Sequence, residues 1–311
     1  MKGNKVSIIG SRGTKRRSEM IAGKIFVICA FFAVLSVASI TIYMIINGTP
    51  ALMKVGIIDI LFNSDWSPAS ANPSYGILYV IFTSILGTTF AILIGVPIGV
   101  LTAVFLAEVS SKRLAAVVKP AVELLAGIPS VIYGLLGLMI LNPLMYQLEL
   151  AIFKNSKTHQ FTGGANLISA VLVLAVMILP TVINISESSL RAVPEHLKSA
   201  SLGVGASKIQ TIFKVQIPAA KSGIITAVVL GVGRAIGEAM AISLVAGSSV
   251  NFPLPFNSVR FLTTAIVSEM GYAADTHREV LFTIGLVLFL FIMMINIILT
   301  KVLRKRDESD G

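Results

Sequence analysis

The chain has 311 residues, of which 55% are hydrophobic and 13% charged, and its mean hydropathy is +0.88. Soluble domains carry about 25% charged residues, so the composition excludes an ordinary soluble domain and defines an all-α polytopic membrane protein. The net charge of +10 lacks the aromatic interleaving of a nucleic-acid surface and fits the Lys/Arg bias of cytoplasmic loops. With one cysteine, Cys29, no internal disulfide or thiolate cluster can form, and His159, His196 and His277 show no metal-ligand spacing.

Residues 1–24 form a basic leader with Lys2, Lys5, Arg12, Lys15, Arg16, Arg17 and Lys24 against one acid, Glu19. It is expected to be disordered and cytoplasmic. The following run, 25–46, is about the length of a span, too long for a signal-peptide core, and reads as an uncleaved first helix. Residues 47–74 are mixed in character and expected outside, with Trp66 at the membrane interface. A second apolar stretch, Tyr75 to Leu106, holds Gly95, Pro97 and Gly99, a spacing suited to close helix approach and a kink.

Lys112, Arg113 and Lys119 mark a return to the cytoplasm before a third run, about 121–145. There Pro129 removes a backbone donor and Ser130 can compensate it, so a kink beside Gly127 is expected. Residues 146–166 are polar and outside, and a fourth span, 167 to about 187, contains Pro180. After the polar loop 191–218, a fifth run, 219–245, is interrupted by Arg234 and Glu238. Residues 247–278 form an outer segment with room for a short re-entrant or interfacial helix. The sixth span, 280–300, ends at Lys301, and a basic tail, 303–311, follows.

This topology puts nineteen of the 25 basic residues inside and five outside, with Arg234 alone within a span. The bias makes both termini and the 191–218 loop cytoplasmic. In that loop Pro194 suits the first turn of a short helix, which Gly203 and Gly205 break. Ser207 and Gln210 have capping-box spacing, and Ile209, Ile212, Phe213 and Ile217 recur at helical intervals up to Pro218, which is expected to end the helix. Such an amphipathic helix can lie on lipid, pack on its own chain, or insert into a groove on a soluble partner through Ile212 and Phe213.

Arg234 and Glu238 stand at i, i+4, so they are expected to share a helix face and pair. Two readings stay open: a static ion pair fixing helix packing, or an anion pathway lined by Arg234 with Glu238 as its resting partner. Gly233 and Gly237 beside them would let another helix come close.

Ser199-Ala200-Ser201, then Gly205, then Val215-Gln216-Ile217-Pro218 resembles the loop motif of bacterial ABC importer permeases, with Ser199 in place of the motif's Glu. The resemblance runs from Tyr75 onward and implies the type I ABC importer permease fold with six transmembrane helices, residues 75–302 forming the transmembrane domain. It also implies an ATPase partner that receives the loop. No Gly-x4-Gly-Lys-Ser/Thr occurs in the chain, so ATP and Mg are expected on that separate ATPase and no cofactor here. Ala126–Gly134 and Gly233–Ala241 resemble the permeases of the bacterial phosphate (Pst) importer, and Trp66-Ser-Pro68, Tyr75-Gly-Ile77, Gly87-Thr88 and Glu123-Leu-Leu125 resemble its PstC subunit more than PstA. That resemblance implies a PstA-like second permease, two ATPase subunits, an extracytoplasmic phosphate-binding protein and the bacterial inner membrane.

The alternatives are a permease for sulfate, molybdate or phosphonate, against which the two blocks argue, and a stand-alone secondary transporter. The latter predicts internal repeats with paired broken helices. A membrane enzyme would need a polar cluster at one face, which the sequence does not display.

Overall fold

From Ile25 the apolar run meets no helix breaker until Pro50. In the computed structural model, which describes residues 12–307 with side chains for 19–298, it lies within one helix, α1, Arg12–Lys54. The helix exceeds the expected 25–46 at both ends. The leader from Arg12 is thus helical rather than disordered, while residues 1–11 and 308–311 lie outside the described residues. The most apolar stretch of α1 is covered by no other part of the protein, as befits a surface whose solvent is lipid.

Residues 47–74 are more ordered than a mixed linker. After α1 comes α2, Ile57–Phe62, then a hairpin of β1, Trp66–Ser67, and β2, Ser74–Tyr75, pairing Trp66 with Tyr75. The Trp66 indole Nε1 donates to Glu269 Oε1 at 3.1 Å and its ring packs edge-on to Tyr75 and His277.

α3, Leu78–Val104, continues through a π turn, Phe105–Val109. It packs along α7, Leu167–Arg191, at a distance only glycine permits. A Cβ on Gly95 would sit 2.7 Å from the Ile178 side chain and 2.9 Å from Ala175 O, and one on Gly99 2.8 Å from Val182. Close approach matters here because lipid supplies no hydrophobic drive between spans, leaving van der Waals packing to hold them. Leu174, Met177 and Ile178 of α7 form the centre of the core with Ala91 of α3. Pro97 lies within α3 without interrupting it.

The expected third span, 121–145, is two elements. α4, Lys112–Gly127, is an amphipathic helix capped by Ser111, whose side chain accepts from Leu114 N. Ile128 and Pro129 are extended, and the crossing helix starts at Ser130 as α5, Ser130–Leu136, running through a π turn, Gly137–Leu141, into α6, Asn142–Phe153. Pro129 clashes with a helical conformation at the residue before it, so the chain breaks there rather than kinking. Tyr133, not Ser130, satisfies a freed carbonyl: its hydroxyl donates to Leu125 O at 2.7 Å.

The 154–166 loop folds over the fully buried Glu149, which accepts from Thr162 N at 3.0 Å and Thr162 Oγ1 at 3.1 Å and lies 2.8 Å from His159 Nε2. After α7 come α8, Glu195–Gly203, α9, Lys208–Thr211, a π turn, Ile212–Gln216, and α10, Ile217–Ala219. A 70° bend then leads into α11, Lys221–Gly237, followed by α12, Met240–Val245. The outer segment contains the expected short helix, α13, Leu262–Glu269, and α14, Asp275–Asp307, closes the chain. Among the described residues five helices are long and apolar enough to cross a membrane, and there are six if the pair bent at Ala220, 208–219 with 221–237, counts as one span.

α14 and the end of α1 form a second packed unit with α2 and α13, centred on Ala51, Ile60, Leu262, Leu281 and Ile284. The hairpin, the 154–166 loop and α13 lie at one end of the bundle; α8–α10 and the π turn of α3 lie at the other.

Candidate functional site

The loop between α7 and α11 is built by local signals. Pro194 precedes the first turn of α8 rather than sitting in it, and Gly205, at φ +89°, makes the left-handed turn that separates α8 from α9. The capping box is complete: Ser207 Oγ accepts from Gln210 N, and Gln210 Oε1 accepts from Ser207 N at 2.9 Å. Pro218 does not end the helix, since its missing donor falls in the first turn of α10 and the break comes at Ala220.

Packing decides which apolar residues are available. Ile212 is 4% exposed, packed among Ala103, Val104, Leu190, Ala220 and Ile224. Phe213 is 53%, Ile209 69% and Val204 86% exposed. Of the two expected anchors only Phe213 is free to meet a partner, because it points about 100° round the helix from Ile212, which packs inward. Ser199, Ala200 and Ser207 are exposed, and Ser201 Oγ lies 2.9 Å from Thr211 Oγ1.

Polar ties hold this loop to the spans. Lys198 Nζ is 2.7 Å from Glu108 Oε2, in the π turn of α3. Arg191 donates from Nε to Glu187 Oε1 at 2.6 Å and from Nη2 to Leu106 O at 3.1 Å. Glu187 is 1% exposed and its second oxygen lies 3.3 Å from Lys119 of α4. Two cations thus compensate the burial of one carboxylate. The Glu108 hydrogen bond raises the Lys198 ammonium above its ordinary value, burial opposing.

The two sequence blocks 126–134 and 233–241 meet in space. A Cβ on Gly134 would stand 2.7 Å from Ala241 Cα and 2.9 Å from Ala241 O, so α5 and α12 touch backbone to backbone. Arg234, near the end of α11, is half-buried and donates from Nη1 to Thr181 Oγ1 of α7 at 3.4 Å. The expected Arg234–Glu238 pair does not form. α11 ends at Gly237 and Glu238 is extended, so i, i+4 no longer means one face. Instead Glu238 Oε1 accepts from Ala241 N at 2.9 Å, capping the start of α12, and its carbonyl accepts from Thr263 Oγ1 at 2.7 Å. Among the described residues no carboxylate lies within ion-pair distance of Arg234.

Gly233 and Gly237 have no atom within 4 Å of a Cβ position, so within this chain they admit no close helix. The close contacts of α11 fall at Gly223, against the Ser189 side chain, and at Gly231, against Val182 at 3.0 Å. Sequence reasoning missed Thr181, Glu108 and Glu187. The two acids were readable as carboxylates at span ends, whereas nothing marked Thr181 among the hydroxyls of α7.

Residues 95–307 match the family described as the binding-protein-dependent transport system inner membrane component, and the chain belongs to that family. It is therefore an inner-membrane transport component with the type I ABC importer permease fold. It is 37% identical over 298 residues to the probable ABC transporter permease protein YqgH of Bacillus subtilis, covering 93% of each chain. It is 30% identical over 296 residues to the phosphate transport system permease protein PstC of Pasteurella multocida, covering 91% of this chain and 90% of that protein. Against the PstC protein of Xylella fastidiosa strain 9a5c the identity is 31% over 291 residues, with 90% and 89% covered. Among solved structures, the inward-facing MetNI methionine ABC transporter matches with a TM-score of 0.50 at 21% identity, covering 74% of this chain and 94% of that one, a likeness of fold alone.

Proposed function

We propose that this chain is the PstC-like permease subunit of an ATP-driven importer that carries inorganic phosphate across the inner membrane. It pairs with a PstA-like second permease. Two ATPase subunits, holding ATP and Mg, dock at the α8–α10 end, which is cytoplasmic together with both termini. An extracytoplasmic phosphate-binding protein delivers substrate to the hairpin end, where the loops 153–162 and 249–258 enclose a cleft of ≈ 540 Å³.

The observation that carries the reading is an arginine inside a span with no carboxylate within ion-pair distance among the described residues. An arginine costs about 2.5–3.5 kcal/mol at the centre of a membrane helix on insertion scales, an upper figure for Arg234 in the last turn of α11, and a neutral threonine contact offsets little of it. A tetrahedral oxyanion would complete its hydrogen bonding by the strong charge-assisted geometry that guanidinium favours. Glu238 stands behind it, ordering α12. The open flank at Gly233 and Gly237 suits a passage or the second permease. Relatives named as phosphate permeases over nine-tenths of the chain make phosphate the oxyanion of choice.

The test is phosphate uptake by the assembled transporter carrying Arg234→Ala. Uptake is expected to vanish while membrane insertion and subunit assembly persist. Loss of assembly would instead make Arg234 a packing residue, and sulfate or molybdate uptake by the wild-type complex without phosphate uptake would assign another oxyanion.

A further inference from the structure

α8 buries none of its residues, so apolar packing does not fix it to the bundle. Its tie to the spans is the Lys198–Glu108 pair at 2.7 Å, with side chains 26% and 6% exposed. Glu108 sits in the π turn at the end of α3, where Arg191 also reaches the Leu106 carbonyl. Covalently, the loop can pass a displacement only to α7 and α11, the elements it joins. It also reaches the end of α3 non-covalently, through Ile212 packed on Ala103 and Val104 and, from α8, through the pair. α3 in turn packs along α7 at Gly95 and Gly99 with contacts too close to yield independently. Packed helices of this kind move as units rather than deforming.

We propose that Lys198 and Glu108 form the strut through which the loop, displaced by the ATPase, moves α3 and so couples nucleotide chemistry to opening of the passage. They are positioning residues, touching neither substrate nor nucleotide. The proposal rests on the reading of the loop as the ATPase contact. An ion pair whose carboxylate is buried suits a strut because it resists separation more than a fully exposed pair does. α8 is also joined to α9 by a glycine turn at Gly205 that leaves it free to follow the pull.

The experiment uses the complete transporter in proteoliposomes, with second permease, ATPase and phosphate-loaded binding protein. Glu108→Gln and Lys198→Met are expected to retain the ATPase on purification and its basal hydrolysis. Both should lose roughly tenfold in stimulated hydrolysis and in uptake. Lys198→Arg should stay near wild type, and the exchanged pair Glu108→Lys with Lys198→Glu should recover to within about threefold, Glu195 nearby weakening the rescue. Single variants with wild-type stimulation, or an exchanged pair no better than the singles, overturn the strut. Loss of the ATPase from the singles also overturns it, making the pair part of docking. A wild-type chain that retains no ATPase refutes the docking reading itself.

Discussion

Gly134→Ala tests the claim that the two motif blocks touch backbone to backbone. The added Cβ would lie 2.7 Å from Ala241 Cα, 2.9 Å from Ala241 O and 2.9 Å from Leu244 Cδ1. Two of these three atoms are main chain, which cannot swing aside, so α5 and α12 must separate. Overpacking of this kind costs about 1–3 kcal/mol. Alanine recovers about 0.5–1 kcal/mol of helix propensity, for a net loss of roughly 0.5–2 kcal/mol. Gly233→Ala is the matched control: it is also mid-helix, it meets no atom within 4 Å, and it receives the propensity gain alone. Thermal unfolding of the purified chain in detergent should place Gly134→Ala below Gly233→Ala by roughly 2–10 °C. If Gly134→Ala unfolds at or above the control, the close contact and the convergence built on it are wrong.

Phe213→Asp should abolish co-purification of the ATPase while the permease itself folds, and Ile209→Asp should do the same. Ile212→Asp buries a charge within the chain's own core, at a cost of several kcal/mol, and should lose the folded permease on size-exclusion chromatography. The strut has a pH signature. The Lys198 ammonium is raised by Glu108, so the tie is fully present below the ordinary lysine value and released only as pH rises through the raised one. Stimulated hydrolysis normalised to basal hydrolysis should therefore stay flat between about pH 6 and pH 9, and a titration within that window would contradict the assignment.

The spans were legible because apolar runs of about twenty residues have few alternatives. The error at 121–145 arose because α4 is amphipathic: its apolar residues Leu124 and Leu125 run on into α5, and hydropathy merges a surface helix with a span. Pro129 was the available signal, since it makes an extended Ile128 the natural boundary. In the loop the caps were legible and the inward face was not. Ile209, Ile212 and Phe213 look equivalent in the sequence pattern, and packing of Ile212 against Ala103, Val104 and Leu190, residues distant in sequence, separates them. The Arg234–Glu238 pair failed for a readable reason, because Gly237 is a helix stop placed between them. Thr181 could not be found from sequence, since its contact with Arg234 spans 53 residues.

The seam between the first and last helices bears on how the protein is made. Thr283 Oγ1 donates to the Gly48 carbonyl at 2.8 Å, Lys54 pairs with Glu279 at 2.7 Å, and Tyr43 meets Phe282 edge-on. Every one of these contacts joins residues more than two hundred positions apart. During synthesis α1 precedes α14 by more than two hundred residues, and until α13 and α14 follow only α2 and the start of α3 pack beside its end. Its apolar surface keeps it soluble in lipid through that interval, and the seam can shut only once α14 has followed.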